Sequence, residues 1–274
     1  MYETYWELQE RPFEQLADRR FYYPCEAHQG ALLKLRYAIE NRRAAALLTG
    51  PSGTGKTQLL MQLAELLPAT YHPLVHLVFP QMPADQLLAY LADELDPTHS
   101  APDQIGNVQT ELRRIQQSLL GRWRDQRRAI IVLDEAQVLQ SAECWETIRL
   151  LLNLQQQGQS LLTILLVGQS SLLATLRDFP ELDERLEMKC CLTKFSPTET
   201  AAYVEHRLRV AQASRPIFTP AAVDALHDLC DGIPRRINRL ADLTLVVGYA
   251  EELTMIDADQ VQAVANDMLM PAID

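Results

Sequence analysis

The stretch GPSGTGKT, Gly50 to Thr57, places three glycines, a lysine and a hydroxyl at the spacing G-x-x-x-x-G-K-[ST]. Glycines at 50, 53 and 55 let a backbone curl until its N–H groups point inward, and a helix starting there adds the positive end of its dipole. Such a loop cradles the phosphates of a nucleotide. Lys56 is expected to reach the β- and γ-phosphates and the Thr57 hydroxyl to ligate Mg²⁺. The whole run Gly50, Pro51, Ser52, Gly53, Thr54, Gly55, Lys56, Thr57 and Gln58 is therefore the candidate nucleotide-binding segment. A mere glycine-rich turn with a surface lysine would need no particular flanks. Here an apolar run, Ala44–Leu48, precedes the loop and the helical pattern QLLMQLAELL follows it.

A phosphate cradle needs a metal partner and a base. IIVLDEAQ, about 80 residues later, supplies both candidates. An apolar strand 129–133 would deliver Asp134 to the C-terminal edge of a sheet, where ligands of α/β proteins bind. Asp134 is expected to hold Mg²⁺, through water, and Glu135 to polarise the attacking water. The competing reading, an Asp-Glu pair that only starts a helix, loses weight beside Lys56. The apolar strand in SLLTILLVG ends at Gln169, our choice for a polar group that senses the γ-phosphate; Ser170 is the alternative, or a simple helix cap. Arg185, in FPELDERLEMK, either pairs with Glu181 or Asp183 or projects into a neighbouring subunit's nucleotide site as an arginine finger. In GIPRRINRL, Arg235 and Arg236 open a helix, against the dipole preference for acids there. That placement suits a lid arginine that contacts the γ-phosphate.

These groups need a scaffold, and the hydrophobic pattern describes one. Unalternating apolar runs at 43–50, 73–79, 129–135, 160–168 and 188–195 read as strands buried on both faces of a parallel sheet. Helical patterns at 26–42, 56–67, 83–95, 108–128 and 144–157 alternate with them, which implies a three-layer α/β/α domain. A loop is expected at 96–107. After Phe195–Ser196 the pattern changes to four helices with no strand between them. The expected organisation is an α/β nucleotide-binding domain over 1–195, with an N-terminal extension 1–43, and a helical domain over 196–274.

Composition bounds the function. Apolar residues make up 47% and charged residues 22%, enough for a packed core. No apolar stretch approaches the about 20 residues that cross a bilayer, and the acidic start MYETYWELQE lacks a signal-peptide core, so a soluble cytoplasmic chain is expected. Net charge is −11, from 25 basic and 36 acidic residues, which argues against a surface that grips nucleic acid everywhere. A local DNA contact through Arg113, Arg114, Arg127 and Arg128 competes with a plain solvated helix face. The five cysteines lack a CxxC pair and read as free thiols, with Cys190 and Cys191 on opposite faces of a strand. His72 and His76 have no third ligand in view for a metal. The aromatics of YWELQERPF and RFYYP read as plain packing near an N-terminus, with stacking on the adenine or on the helical lid as the alternative.

Taken together, these segments resemble the AAA+ ATPases of the general secretion pathway protein A type. The resemblance runs through YWELQERPFE, RFYYPCEAHQG, GPSGTGKT, VLDEAQ, LLVGQSSLL, ELDERL, LTKFSPTETAAYVEHRL and GIPRRINRLAD. It implies a P-loop AAA+ core with a C-terminal helical lid, Mg-ATP hydrolysis to ADP and phosphate, and homo-oligomers in which Arg185 acts in trans. It favours Arg235, directly after proline, as the nucleotide-sensing arginine, with Arg236 beside it. It also implies work in assembling a type II secretion or pilus-like machine from the inner face of the cytoplasmic membrane. Members of that family often continue into a transmembrane helix and a peptidoglycan-binding region. The transposition ATPases of the TniB, TnsC and MuB kind share the same core and bind DNA, which is the alternative role.

Overall fold

The structure is a computed structural model that describes residues 1–14, 18–97, 107–139 and 141–269. In chain order the elements are α1 (Glu26–Glu40), β1 (Ala45–Thr49), α2 (Lys56–Leu66), β2 (Leu74–Leu77), α3 (Ala84–Leu95), α4 (Val108–Arg124), β3 (Ala129–Leu133) and α5 (Ala142–Leu151). Then come β4 (Gln155–Gln156), β5 (Gln159–Ser160), β6 (Leu162–Gly168), α6 (Leu172–Arg177), α7 (Pro180–Asp183) and β7 (Leu186–Cys191). The chain ends in α8 (Pro197–Val210), α9 (Pro220–Cys230), α10 (Pro234–Ala250) and α11 (Ala258–Leu269). Most of the expected loop at 96–107 lies outside the described residues.

The chain forms two compact units. One comprises Glu26–Pro51 and Leu59–Leu192; the other comprises Met1–Cys25, Ser52–Gln58 and Thr193–Asp274. The first is built on a five-stranded sheet of order β2-β3-β6-β1-β7, parallel throughout. Its central strands β1, β3 and β6 are buried at every residue, because helices cover both faces, so no polar alternation is tolerated. Successive side chains separate cleanly. Ala45, Leu47, Ile131, Leu133, Ile164 and Leu166 pack with α3, α4 and α5 on one face. Ala46, Leu48, Ile130, Val132, Leu165 and Val167 pack with α1 and α2 on the other.

Three sequence expectations are corrected in this unit. The helical pattern at 108–128 stops at Arg124, which leaves Arg127 and Arg128 beyond α4. The helical pattern at 144–157 stops at Leu151, and the glutamine-rich stretch after it is a hairpin of β4 and β5. Gln157 and Gly158 turn that hairpin with φ of 52° and 74°, as a tight two-residue turn requires. The last strand is Leu186–Cys191, not 188–195. Thr193 onward belongs to the other unit.

The second unit gathers both chain ends. Ser196 caps α8 through a reciprocal capping box with Glu199. The N-terminal aromatics pack here, on the C-terminal helices: the Trp6 indole donates to the Leu245 carbonyl at 2.9 Å, and the Tyr2 hydroxyl donates to Asp242. Arg207 is buried. Its guanidinium donates to the Pro12 and Glu14 carbonyls and lies 4.4 Å from the Phe21 ring centroid. Burial pulls its pKa down, while the two carbonyls and the ring compensate the desolvated cation.

All five cysteines are free thiols; Cys25, Cys144, Cys190 and Cys230 are buried and Cys191 is exposed. Burial pushes the Cys190 thiol up and the Cys230 thiol to about 11. A maleimide or disulfide reagent at pH 8 is therefore expected to label Cys191 rapidly and the other four only on unfolding. Fast labelling of Cys190 would contradict the register of β7.

Candidate functional site

The register of the sheet sets three strand ends side by side. Thr49 of β1 pairs with Gly168 of β6, and Leu133 of β3 pairs with Leu166 of β6. The chain therefore leaves the sheet at Gly50, Asp134 and Gln169 along one edge, the C-terminal edge of the parallel strands. The Asp134 N–H still donates to the Leu77 carbonyl at 2.9 Å, so the ladder runs one residue beyond β3 and fixes where the carboxylate emerges.

Asp134 is 1% exposed. Its Oδ1 accepts the Glu135 N–H at 2.9 Å, and its Oδ2 lies 3.4 Å from His76 Nε2 on β2. His76 thus faces a carboxylate rather than His72. Glu135 is half-buried and sits in the left-handed region, φ 51° and ψ 36°. Its carboxylate accepts a hydrogen bond from Gln137 Nε2. The oxygen of that same Gln137 side chain accepts the Gln169 N–H at 2.9 Å. Ser170, the alternative to Gln169, is exposed and does not cap α6, whose N-cap residue is Ser171.

The loop residues Ser52–Gln58 belong to the unit that contains α8 to α11. Gly53 and Gly55 take φ of 83° and 91°, open to glycine and strained for other residues. Gly53 is also closely approached: a Cβ there would meet the Arg235 Cβ at 2.9 Å and the Ile233 Cγ2 at 3.0 Å. The Arg235 N–H donates to the Gly53 carbonyl at 3.2 Å. Of the two arginines that open α10, both exposed, Arg235 is the one whose backbone touches the loop. Lys56, 6% exposed, opens α2, and Thr57 follows it, exposed.

The donor set fits a phosphate and a hard cation. Backbone N–H groups at a helix start and one ammonium suit phosphate oxygens. Among the described residues no cluster of three or more His, Cys, Asp or Glu side chains is placed to hold a metal. Each unit offers an oxygen donor of its own, the Thr57 hydroxyl in one and the Asp134 carboxylate in the other. Mg²⁺ is typically bound by one or two protein oxygens together with water and substrate phosphates.

The arginines separate into distinct environments. Arg185 is exposed and donates to Asn153 Oδ1 at 3.0 Å. The ion-pair partners considered for it are engaged elsewhere, Glu181 with Arg149 at 3.1 Å and Asp183 with Lys189 at 2.6 Å. In the cluster on and just after α4, Arg114 pairs with Glu111 and Asp93. Arg128 is 9% exposed, stacks on Trp123 and donates to the Ser160 carbonyl, and burial lowers its pKa to about 10. Arg113 and Arg127 remain exposed.

Two candidates come only from the structure: His76, a partner of Asp134 rather than a metal ligand, and Gln137, inside the DEAQ word, which spans Glu135 and Gln169.

A parallel sheet that carries a strand–glycine loop–helix turn on one strand, an Asp-Glu pair at the end of the next strand but one and a polar group on the strand between them defines a P-loop nucleotide-binding fold. The family model described as "AAA domain" matches residues 39–176, half of the chain, and the chain belongs to that family. It is 34% identical over 252 residues, 91% of its own length, to General secretion pathway protein A of Aeromonas hydrophila. It spans 45% of that protein. Among solved structures it resembles Cdc6p from Pyrobaculum aerophilum, with a TM-score of 0.74 at 17% identity over 96% of this chain and 72% of that one. It also resembles Aeropyrum pernix ORC2 in its ADPNP–ADP complexes, with a TM-score of 0.68 at 14% identity over 94% and 72% of the two chains. These two likenesses establish the AAA+ fold. No helix among the described residues is long and apolar enough to cross a membrane.

Gly53→Ala and Gly121→Ala should move stability in opposite directions. The first puts a methyl against Arg235 at a positive φ and should destabilise the protein by about 1–3 kcal/mol. The second adds a methyl in open space within α4 and should be neutral or stabilise by up to about 1 kcal/mol. Denaturant titration without nucleotide checks both; equal effects would contradict the loop conformation.

Proposed function

We propose that this chain binds Mg-ATP and hydrolyses it to ADP and phosphate, acting as a homo-oligomer. The observation that carries the reading is the turn between β1 and α2, where Gly53 and Gly55 hold positive φ and Lys56 opens the helix. In this reading Gly50–Gln58 line the phosphates with backbone N–H groups, and the Lys56 ammonium offsets charge on the β- and γ-phosphoryl oxygens. Thr57 and Asp134 hold Mg²⁺, which supplies neutralisation of the phosphate charge. Glu135 orients and polarises the attacking water. Gln169 and Arg235, with Arg236 beside it, read the γ-phosphate. Arg185 completes a neighbour's site; its exposure and its single neutral partner leave it able to move there.

The similarity to General secretion pathway protein A supports a further step: the cycle serves assembly of a type II secretion or pilus-like envelope machine, at the inner face of the cytoplasmic membrane. The DNA-binding alternative draws on Arg113, Arg114, Arg127 and Arg128. Arg114 is ion-paired and Arg128 buried, so this group presents less free charge than the sequence suggests.

Turnover with purified oligomer tests the enzyme reading. Lys56→Ala should lose nucleotide binding. Glu135→Gln should retain binding and lose turnover by about 100-fold or more. A Glu135→Gln protein with wild-type turnover would refute the assignment.

Arg185→Ala should lower turnover by about 1,000-fold and should recover when mixed with Lys56→Ala subunits, which carry an intact Arg185. Absence of recovery in a confirmed mixed oligomer would remove Arg185 from the trans role.

A further inference from the structure

The side chain of Gln137 bridges two strand ends. It lies on the short turn Ala136–Val138 that follows Glu135. Its oxygen accepts the backbone N–H of Gln169, just beyond β6. A backbone N–H only donates, so the amide has one workable orientation: oxygen towards Gln169, NH₂ towards the Glu135 carboxylate. The bridge has room because residue 168 is glycine; a Cβ there would lie 2.5 Å from the Gln137 oxygen.

Glu135 has reasons to need such a tether. Its backbone occupies the left-handed region, unusual for a side-chain-bearing residue, and such conformations persist where their surroundings fix them. Its own N–H is held by Asp134 Oδ1. With Gln137 on Oε2, both the main chain and the side chain of Glu135 are anchored. The remaining oxygen, Oε1, can face a water. An acid at position 137 would present a second carboxylate to Glu135, and asparagine, one methylene shorter, would not span both partners.

We propose that Gln137 is a positioning residue for hydrolysis: it ties the Glu135 carboxylate to the end of β6, so that the water-activating group and the γ-phosphate-sensing Gln169 keep one fixed geometry. This rests on the reading of Glu135 as the base.

Steady-state turnover and Mg-ATP binding on the intact chain test it, with Gln137→Met, which keeps length and removes both hydrogen bonds, and Gln137→Asn, which keeps the amide and loses reach. In both, kcat should fall about 10- to 100-fold, with KM and the Mg-ATP dissociation constant within about twofold of wild type. A structural role alone would lower thermal stability without that split. The double variant Glu135→Gln/Gln137→Glu exchanges amide and carboxylate while keeping the hydrogen bond. It should melt nearer to wild type than Gln137→Glu alone and still fail to turn over. Unchanged kcat in both single variants would overturn the proposal. A raised kcat would overturn it too, by making the bridge a lock that holds Glu135 back. Glu135→Gln run alongside separates the two levels. If it is inactive while the Gln137 variants are normal, only the bridge is wrong; if it is fully active, the base assignment falls and the bridge with it.

Discussion

Everything at this site depends on a carboxylate placed where water is scarce. Asp134 is almost wholly buried at the end of a strand that is itself buried on both faces. A charge withdrawn from water is costly unless donors or cations surround it. The structure surrounds this one by turning the Glu135 N–H back onto Oδ1 and setting His76 beside Oδ2. The left-handed Glu135 backbone follows from that arrangement, and so does the exit of the Ala136–Val138 turn that carries Gln137. A hard cation is a further fitting partner for such a group.

The parallel sheet converts this local constraint into a site. Since β1, β3 and β6 run in the same direction in adjacent positions, their C-terminal ends carry Gly50, Asp134 and Gln169 to one edge. The two hydrophobic layers hold those strands rigidly. Truncating one of their core side chains, Leu47 or Ile131 for example, would cost about 2–5 kcal/mol. That rigidity lets a glutamine bridge between two strand ends hold one geometry.

Much of this was legible in the sequence, for physical reasons. Strands covered on both faces read as unbroken apolar runs, so β1, β3 and β6 declared themselves. A loop that must curl around phosphate needs glycine at fixed intervals, so Gly53 and Gly55 did as well. What sequence hides is long-range or against propensity. The β4–β5 hairpin turns at a glutamine with positive φ, a conformation no residue preference announces, so the helical pattern in the sequence runs on to 157. Strand order placed His76 beside Asp134, 58 residues away. The Gln137–Gln169 contact spans 32 residues and depends on a glycine that leaves room for it. The carbonyls that bind Arg207 come from the other end of the chain.

We propose that the chain holds an adenine nucleotide through its phosphates and a divalent ion. Isothermal titration of the folded wild-type protein with ATP, in Mg²⁺ and again in EDTA, tests it most directly. The account predicts saturable uptake of one nucleotide per chain, weakened when the ion is removed. Folded protein that takes up no ATP in the presence of Mg²⁺ would contradict it.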